Sequence, residues 1–169
     1  NIYMKITRTL EITTEEFYDH LEQGIIESIK KTSSKIIKKA DIKKGLKYST
    51  TEHDVYTKTS VKILDYQRGN HYKARINSIM DNIIIEYSTR EVDKGLEVEF
   101  DQIIESFEKK KTNFLMREFS KAVYLGRMTD TLYDMQTKIH NQRNNIKETK
   151  IKKENKLLKH IQSKIKETV

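Results

Sequence analysis

The sequence has no cysteine, no proline, no tryptophan and only five glycines. Without cysteine there is no disulfide, no thiolate metal site and no cysteine nucleophile, which favours a reducing compartment. Without proline, nothing in the chain forces a helix or strand to break. No run of about 18 apolar residues occurs, so no membrane span is expected. The N-terminus lacks the basic-then-apolar pattern of a secretion signal, and a cytoplasmic protein is the expectation. The glycines are isolated and build no phosphate loop, and no G-x-S-x-G elbow marks a serine nucleophile. The histidines (His20, His53, His71, His140 and His160) form no i, i+4 helical pair and no His-x-His strand pair. His53-Asp54 reads as a solvated turn. No metal, no cofactor and no catalytic residue are therefore assigned.

What is present is charge. At 169 residues the chain is long enough for one domain with a real core, yet it is 34% charged and 36% apolar. The net charge of +8 is uneven: residues 138–169 hold ten Lys or Arg against three Glu, while the remainder is close to neutral. Two parts follow, a body over residues 1–140 and a basic helical extension over 141–169.

Residues 54–107 organise the body. Leu96, Val98 and Phe100 alternate with Glu97, Glu99 and Asp101, which predicts a strand with one covered face and one wet face. The same alternation runs through Val55, Thr57, Thr59, Val61 and Ile63, then Tyr72, Ala74, Ile76, Ser78 and Met80, then Ile83, Ile85, Tyr87 and Thr89. Turns are read at Arg68-Gly69-Asn70-His71, at Asp81-Asn82 and at Asp93-Lys94-Gly95. Upstream, Met4 to Ile12 alternates as a strand, and Leu46 to Thr50 begins another. Between them, Thr13 and Glu16 have capping-box spacing, and Phe17, Leu21, Ile25 and Ile29 recur as a helix, with Glu15, Asp19, Glu22 and Glu27 off the stripe. Residues 35–44 are ambiguous between strand and helical turn. After a Lys109-Lys110-Lys111 hinge the period becomes helical from Thr112 to His140. At Asn141 to Asn145 the apolar stripe thins and changes phase. Either the helix breaks there, or one long helix changes the neighbour it faces. Gly24 and Gly126 read as points of close packing, or in the second case as a kink.

This order predicts an α+β helix-grip fold: a curved antiparallel sheet of about six or seven strands wrapped around a long C-terminal helix. The candidate cavity lining consists of polar groups in phase with apolar neighbours: Arg8, Tyr48, Thr59, Tyr72, Tyr87 and Gln102. Phe100 forms part of the wall, and Phe119, Val123 and Met128 of the long helix form the roof. Tyrosine offers an apolar body with a hydroxyl that needs a partner, and a half-buried arginine suits an acidic group. The plainer reading is that the tyrosines fill core volume and Arg8 snorkels at the sheet edge.

The opening MKITRTLEIT, the stretch Ala40 to Ser49 (ADIKKGLKYS) and the length resemble the bacterial family known as domain of unknown function 3284, within the START/Bet v 1-like (SRPBCC) superfamily. The resemblance covers Met4 to His140 and implies a cavity between sheet and helix. It carries over no catalytic residues. It also implies a link to carbohydrate metabolism, since such genes often neighbour sugar phosphotransferase genes. The expected function is binding of a small amphipathic ligand by a self-associating protein, with homo-oligomers formed through the C-terminal helix. The alternative is an interaction module whose basic helix meets nucleic acid, an anionic membrane surface or an acidic protein. Residues 138–169 contain no Phe, Tyr or Trp for base stacking, which argues against single-stranded nucleic acid. An enzyme working within the cavity is the least favoured reading.

Overall fold

The computed structural model describes residues 1–50, 59–79, 81–105 and 114–168. The expected positions of His53, Asp54, Val55, Thr57, Met80 and the Lys109-Lys110-Lys111 hinge lie outside them. Strands β1 (Ile2–Leu10), β2 (Lys47–Thr50), β3 (Thr59–Gln67), β4 (His71–Asn77), β5 (Asn82–Val92) and β6 (Gly95–Ile104) form one antiparallel sheet in the order β1-β6-β5-β4-β3-β2. Helices α1 (Thr14–Ser33) and α2 (Phe114–Glu167) cover one face of it. This is the helix-grip arrangement, and the ambiguous stretch at 35–44 holds a 3-10 turn at Lys39–Asp41.

The covered face follows the period-2 pattern. Ile2, Met4, Ile6 and Leu10 of β1 are buried beside Leu96, Val98, Phe100 and Ile104 of β6, with Ile6 opposite Phe100 and Leu10 opposite Leu96. Each such side chain contributes roughly 1.5–3 kcal/mol by leaving water. On the outer face, Glu99 pairs with Lys5 at 2.6 Å and Glu97 with Arg90 at 3.1 Å. Across the sheet centre runs a row of aromatic cross-strand partners: Tyr66 opposite Tyr72, Tyr72 opposite Tyr87, Tyr87 opposite Phe100. Their ring centroids lie 5.9, 6.4 and 4.6 Å apart. Tyr66 joins the row because the β3–β4 register shifts between Ile63 and Asp65, a bulge that reverses the alternation beyond it. Phe17 of α1 sits edge-on over Tyr87 at 5.7 Å, so the helix stripe and the aromatic row form one core.

Helix α1 starts as its sequence signals. The Thr13 hydroxyl accepts from the Glu16 N–H at 3.1 Å, and the Glu16 carboxylate accepts from the Thr13 N–H at 3.0 Å. It ends at Ser34, a left-handed residue with φ 58° whose N–H donates to the Lys30 carbonyl. Helix α2 is continuous for 54 residues, so the polar patch at Asn141 to Asn145 is not a break. Met128, Leu132 and Ile139 are its buried side chains, whereas Ile146, Ile151, Leu157, Leu158, Ile161 and Ile165 are exposed.

Gly95 begins β6 opposite Val92, with φ 143°. A Cβ there would lie 2.1 Å from the Leu10 carbonyl oxygen, inside the backbone of β1. The neighbouring strand, as much as the hairpin, demands glycine. Gly95→Ala should therefore destabilise the chain by about 3 kcal/mol. Gly69→Ala at the β3–β4 turn, where φ is 87° but the space is open, should cost only about 1 kcal/mol. Urea unfolding of the two variants measures the difference, and equal losses would show that the contact with β1 contributes nothing.

Candidate functional site

Two adjoining clefts separate the helices from the covered face of the sheet. The smaller, about 240 Å³, lies under α1 and is lined by Leu21, Gly24, Ile25, Tyr48, Thr59, Val61, Tyr72, Ile76, Ile85, Tyr87 and, from α2, Met135. The larger, about 560 Å³, lies under α2 near the open end of the sheet. Its floor is Ile76 and Ile83, Met128 closes it from α2, and its rim carries Thr59, Ser78, Asp81, Gln102, Tyr124, Arg127 and Thr131. Thr59 and Ile76 belong to both, so the two spaces meet on β3 and β4. Gly24 is a gap rather than a point of close packing: nothing stands within 4 Å of the place its Cβ would take. The same holds for Gly126, and α2 runs through it as one helix.

Of the residues singled out from sequence, Tyr48, Tyr72 and Tyr87 line the smaller cleft, Gln102 the larger, and Thr59 both. Phe100 is buried against Tyr87 and belongs to the core beneath them. Three expectations are corrected. Arg8 stands in phase with Met4 and Leu10, but it is on the edge strand, away from both clefts, and its guanidinium donates to the Thr7 carbonyl at 2.8 Å. Phe119 and Val123 do not roof the space, being 66% and 37% exposed. The roof comes from Met128, as expected, with Tyr124 and Arg127 of the same stretch of α2 beside it.

Burial pushes the Tyr72 hydroxyl well above the ordinary phenol range, with a hydrogen bond and the charge of neighbouring Tyr48 adding to it. Burial does the same to Tyr87. Both are neutral O–H groups at physiological pH, suited to hydrogen bonding and not to acid–base work. Among the described residues no group of three His, Asp or Glu is placed to hold a metal ion, and no helix is long and apolar enough to cross a membrane.

Sequence reasoning missed two polar assemblies. Glu22, read as off the helix stripe, is 4% exposed. It accepts from the Tyr66 hydroxyl at 2.8 Å and from Arg68 at 2.6 Å, and Arg68 also pairs with Glu15 and Asp19. A buried carboxylate survives only when so paired. The signal for it was the lone Arg68 at a turn facing three helix acids at positions 15, 19 and 22. The second assembly runs along α2 into its polar patch, which supplies only Arg143. Gln136 accepts from the Glu11 N–H at 2.7 Å, His140 Nε2 donates to the Glu11 carbonyl at 2.7 Å, and Arg143 makes a two-pronged bond to Glu16 at 2.7 and 2.8 Å.

The Arg143 fork holds the Glu16 carboxyl down at about 2, from an ordinary 4.5, with the Thr13 N–H assisting against the cost of burial. A depressed carboxyl contributes stability above its unfolded pKa and loses it as the pH falls toward the folded one. The window is thus pH 4.5 down to 2, and about 2 kcal/mol should be gone by pH 3. Arg143→Gln should remove most of that dependence, so the stability gap between pH 7 and pH 3 narrows. Urea midpoints of the two chains at both pH values measure it, and an unchanged gap would refute the assignment.

The family described as "Domain of unknown function (DUF3284)" matches residues 4–121. No curated protein sequence matches the chain. Among solved structures, a protein of unknown function from Staphylococcus aureus shares 18% identity at a TM-score of 0.57, over 82% of this chain and 92% of its own. Ara h 8.0201 shares 10% at 0.56, over 82% and 97%. An uncharacterised protein from Rhizobium leguminosarum shares 8% at 0.56, over 83% and 95%. At such identities the likeness is one of fold, Bet v 1-like in all its main elements. The sequence match takes in β1 from Met4, α1, strands β2 to β6 and the first turns of α2, and this chain belongs to the DUF3284 family.

Proposed function

We propose that this chain binds a small amphipathic molecule between sheet and helices, and that it self-associates through the far end of α2. The pair of adjoining clefts supports the first part, since tyrosine hydroxyls and other polar groups converge there on an apolar lining of Ile76, Ile83, Ile85 and Met128. The exposed row Ile151, Leu158, Ile161 and Ile165 supports the second, because such a helix end is marginal in water without a partner.

Residues 141–169 thus act as an extension that outruns the body while sharing its helix. Gly24→Leu should fill the smaller cleft and weaken binding of the neutral fluorescent probe N-phenyl-1-naphthylamine at least fivefold. It should also raise stability by about 1 kcal/mol through helix propensity. Tight probe binding by the variant would defeat the cleft as the site. Light scattering should report a dimer for the native chain and a monomer for Leu158→Glu/Ile165→Glu.

A second reading has its own observation. Lys152, Lys153 and Lys156 fall opposite the apolar row on α2. If the native chain scatters as a monomer and binds anionic vesicles less as salt rises, the helix end meets an anionic surface and not a second copy.

A further inference from the structure

The larger cleft has a charge at its mouth that the sequence did not point to. Arg127 lines it from α2, with its guanidinium 5.8 Å from the centre of the Tyr124 ring. Among the described residues no carboxylate forms an ion pair with Arg127, whereas Arg68, Arg75, Arg90 and Arg143 each have one. Asp81 stands on the same rim but is engaged in an interaction of its own. Gln102 and Thr59, on the same lining, offer an amide and a hydroxyl.

The two ends of the joined space differ in kind. At the α1 end, Tyr72 is held neutral by burial, with Tyr48 hydrogen-bonded to it. At the α2 end the group is a permanent cation. The walls between are apolar, and Thr59 and Ile76 bridge them. Met135 in the smaller cleft and Arg127 in the larger lie eight residues apart on one helix, about 12 Å along its axis. A guanidinium on an aromatic face, exposed and in no ion pair with a described carboxylate, suits a planar anionic head group.

We infer that the ligand of the joined clefts is an elongated anionic amphiphile of about 12 Å, its carboxylate or comparable head on Arg127 and its apolar body running past Ile76 toward Tyr72. This rests on the cleft reading above and narrows it. It also moves the anion contact from the sheet edge, at Arg8, to the long helix.

The test uses the full chain with N-phenyl-1-naphthylamine bound, displaced in turn by decanoate and by decanol. Arg127→Gln should weaken displacement by decanoate about tenfold and leave decanol unchanged, with Arg127→Lys intermediate. Arg8→Gln should change neither. Equal displacement by decanoate in the native and Arg127→Gln chains, with the probe still bound by both, overturns the Arg127 assignment alone. A larger effect from Arg8→Gln returns the contact to the edge strand and also overturns it. If the native chain binds no probe at all, the cleft reading fails and takes this inference with it.

Discussion

The corner between β1 and α1 is gripped from outside by one helix, and the rest of the molecule is placed by that grip. Gln136, His140 and Arg143 project from successive turns of α2, and all three reach Glu11 or Glu16. They satisfy backbone groups that the chain reversal leaves open, the N–H and carbonyl of Glu11. A carbonyl can only accept, so His140 carries its proton on Nε2 here. Glu16 closes the cap of α1 and receives Arg143 in the same carboxylate. Where α1 begins and where α2 passes are therefore one decision. Because α2 is stiff, fixing it at Arg143 also fixes Met135 over the smaller cleft and Arg127 over the larger.

Much of the fold was legible from side-chain period. The alternation through Leu96 to Phe100, the cap at Thr13 and Glu16, and the four-residue recurrence of Phe17 to Ile29 are local signals, and the structure follows them. The placement of Tyr72 and Tyr87 came from the same alternation. What was not legible was non-local. The bulge after Ile63 has no sequence marker, so Tyr66 was not expected in the aromatic row. Glu22 looked like a surface residue because only the distant β3–β4 hairpin supplies Arg68 to bury it. The apolar stripe of α2 outruns the part of the helix that meets the sheet, so period alone could not separate Phe119 and Val123, which stay exposed, from Met128, which is buried. The patch at Asn141 to Asn145 looked like a weakness because the partners of its Arg143, at Glu11 and Glu16, lie far upstream in the chain, yet that arginine completes the clamp.

The covered face has two regimes. Around Tyr66, Tyr72, Tyr87 and Phe100 the rings touch and leave little room, with Phe17 closing over them. Toward Thr59, Ile76 and Ile83 the helices stand off and the clefts open. Two helices on one sheet cannot both lie close along its whole width, and α1 takes the aromatic centre while α2 leans on β1. The gap left between them is a consequence of topology, and the side chains that line it decide what the gap can hold.

The continuity of α2 has a mechanical consequence. Ile146, Lys147 and Lys150 still share a groove with Glu16 and Asp19 of α1, and beyond Lys150 the helix runs on as a rod for about 26 Å to its end. A tilt of about 10° about the clamp would carry the far tip through about 6 Å, while Arg127, nearer the pivot and on the other side, would swing the opposite way by about 4 Å. The rod is thus a lever whose short arm roofs the larger cleft and whose long arm bears the exposed isoleucines and leucines, so a displacement at one end is geometrically tied to a displacement at the other.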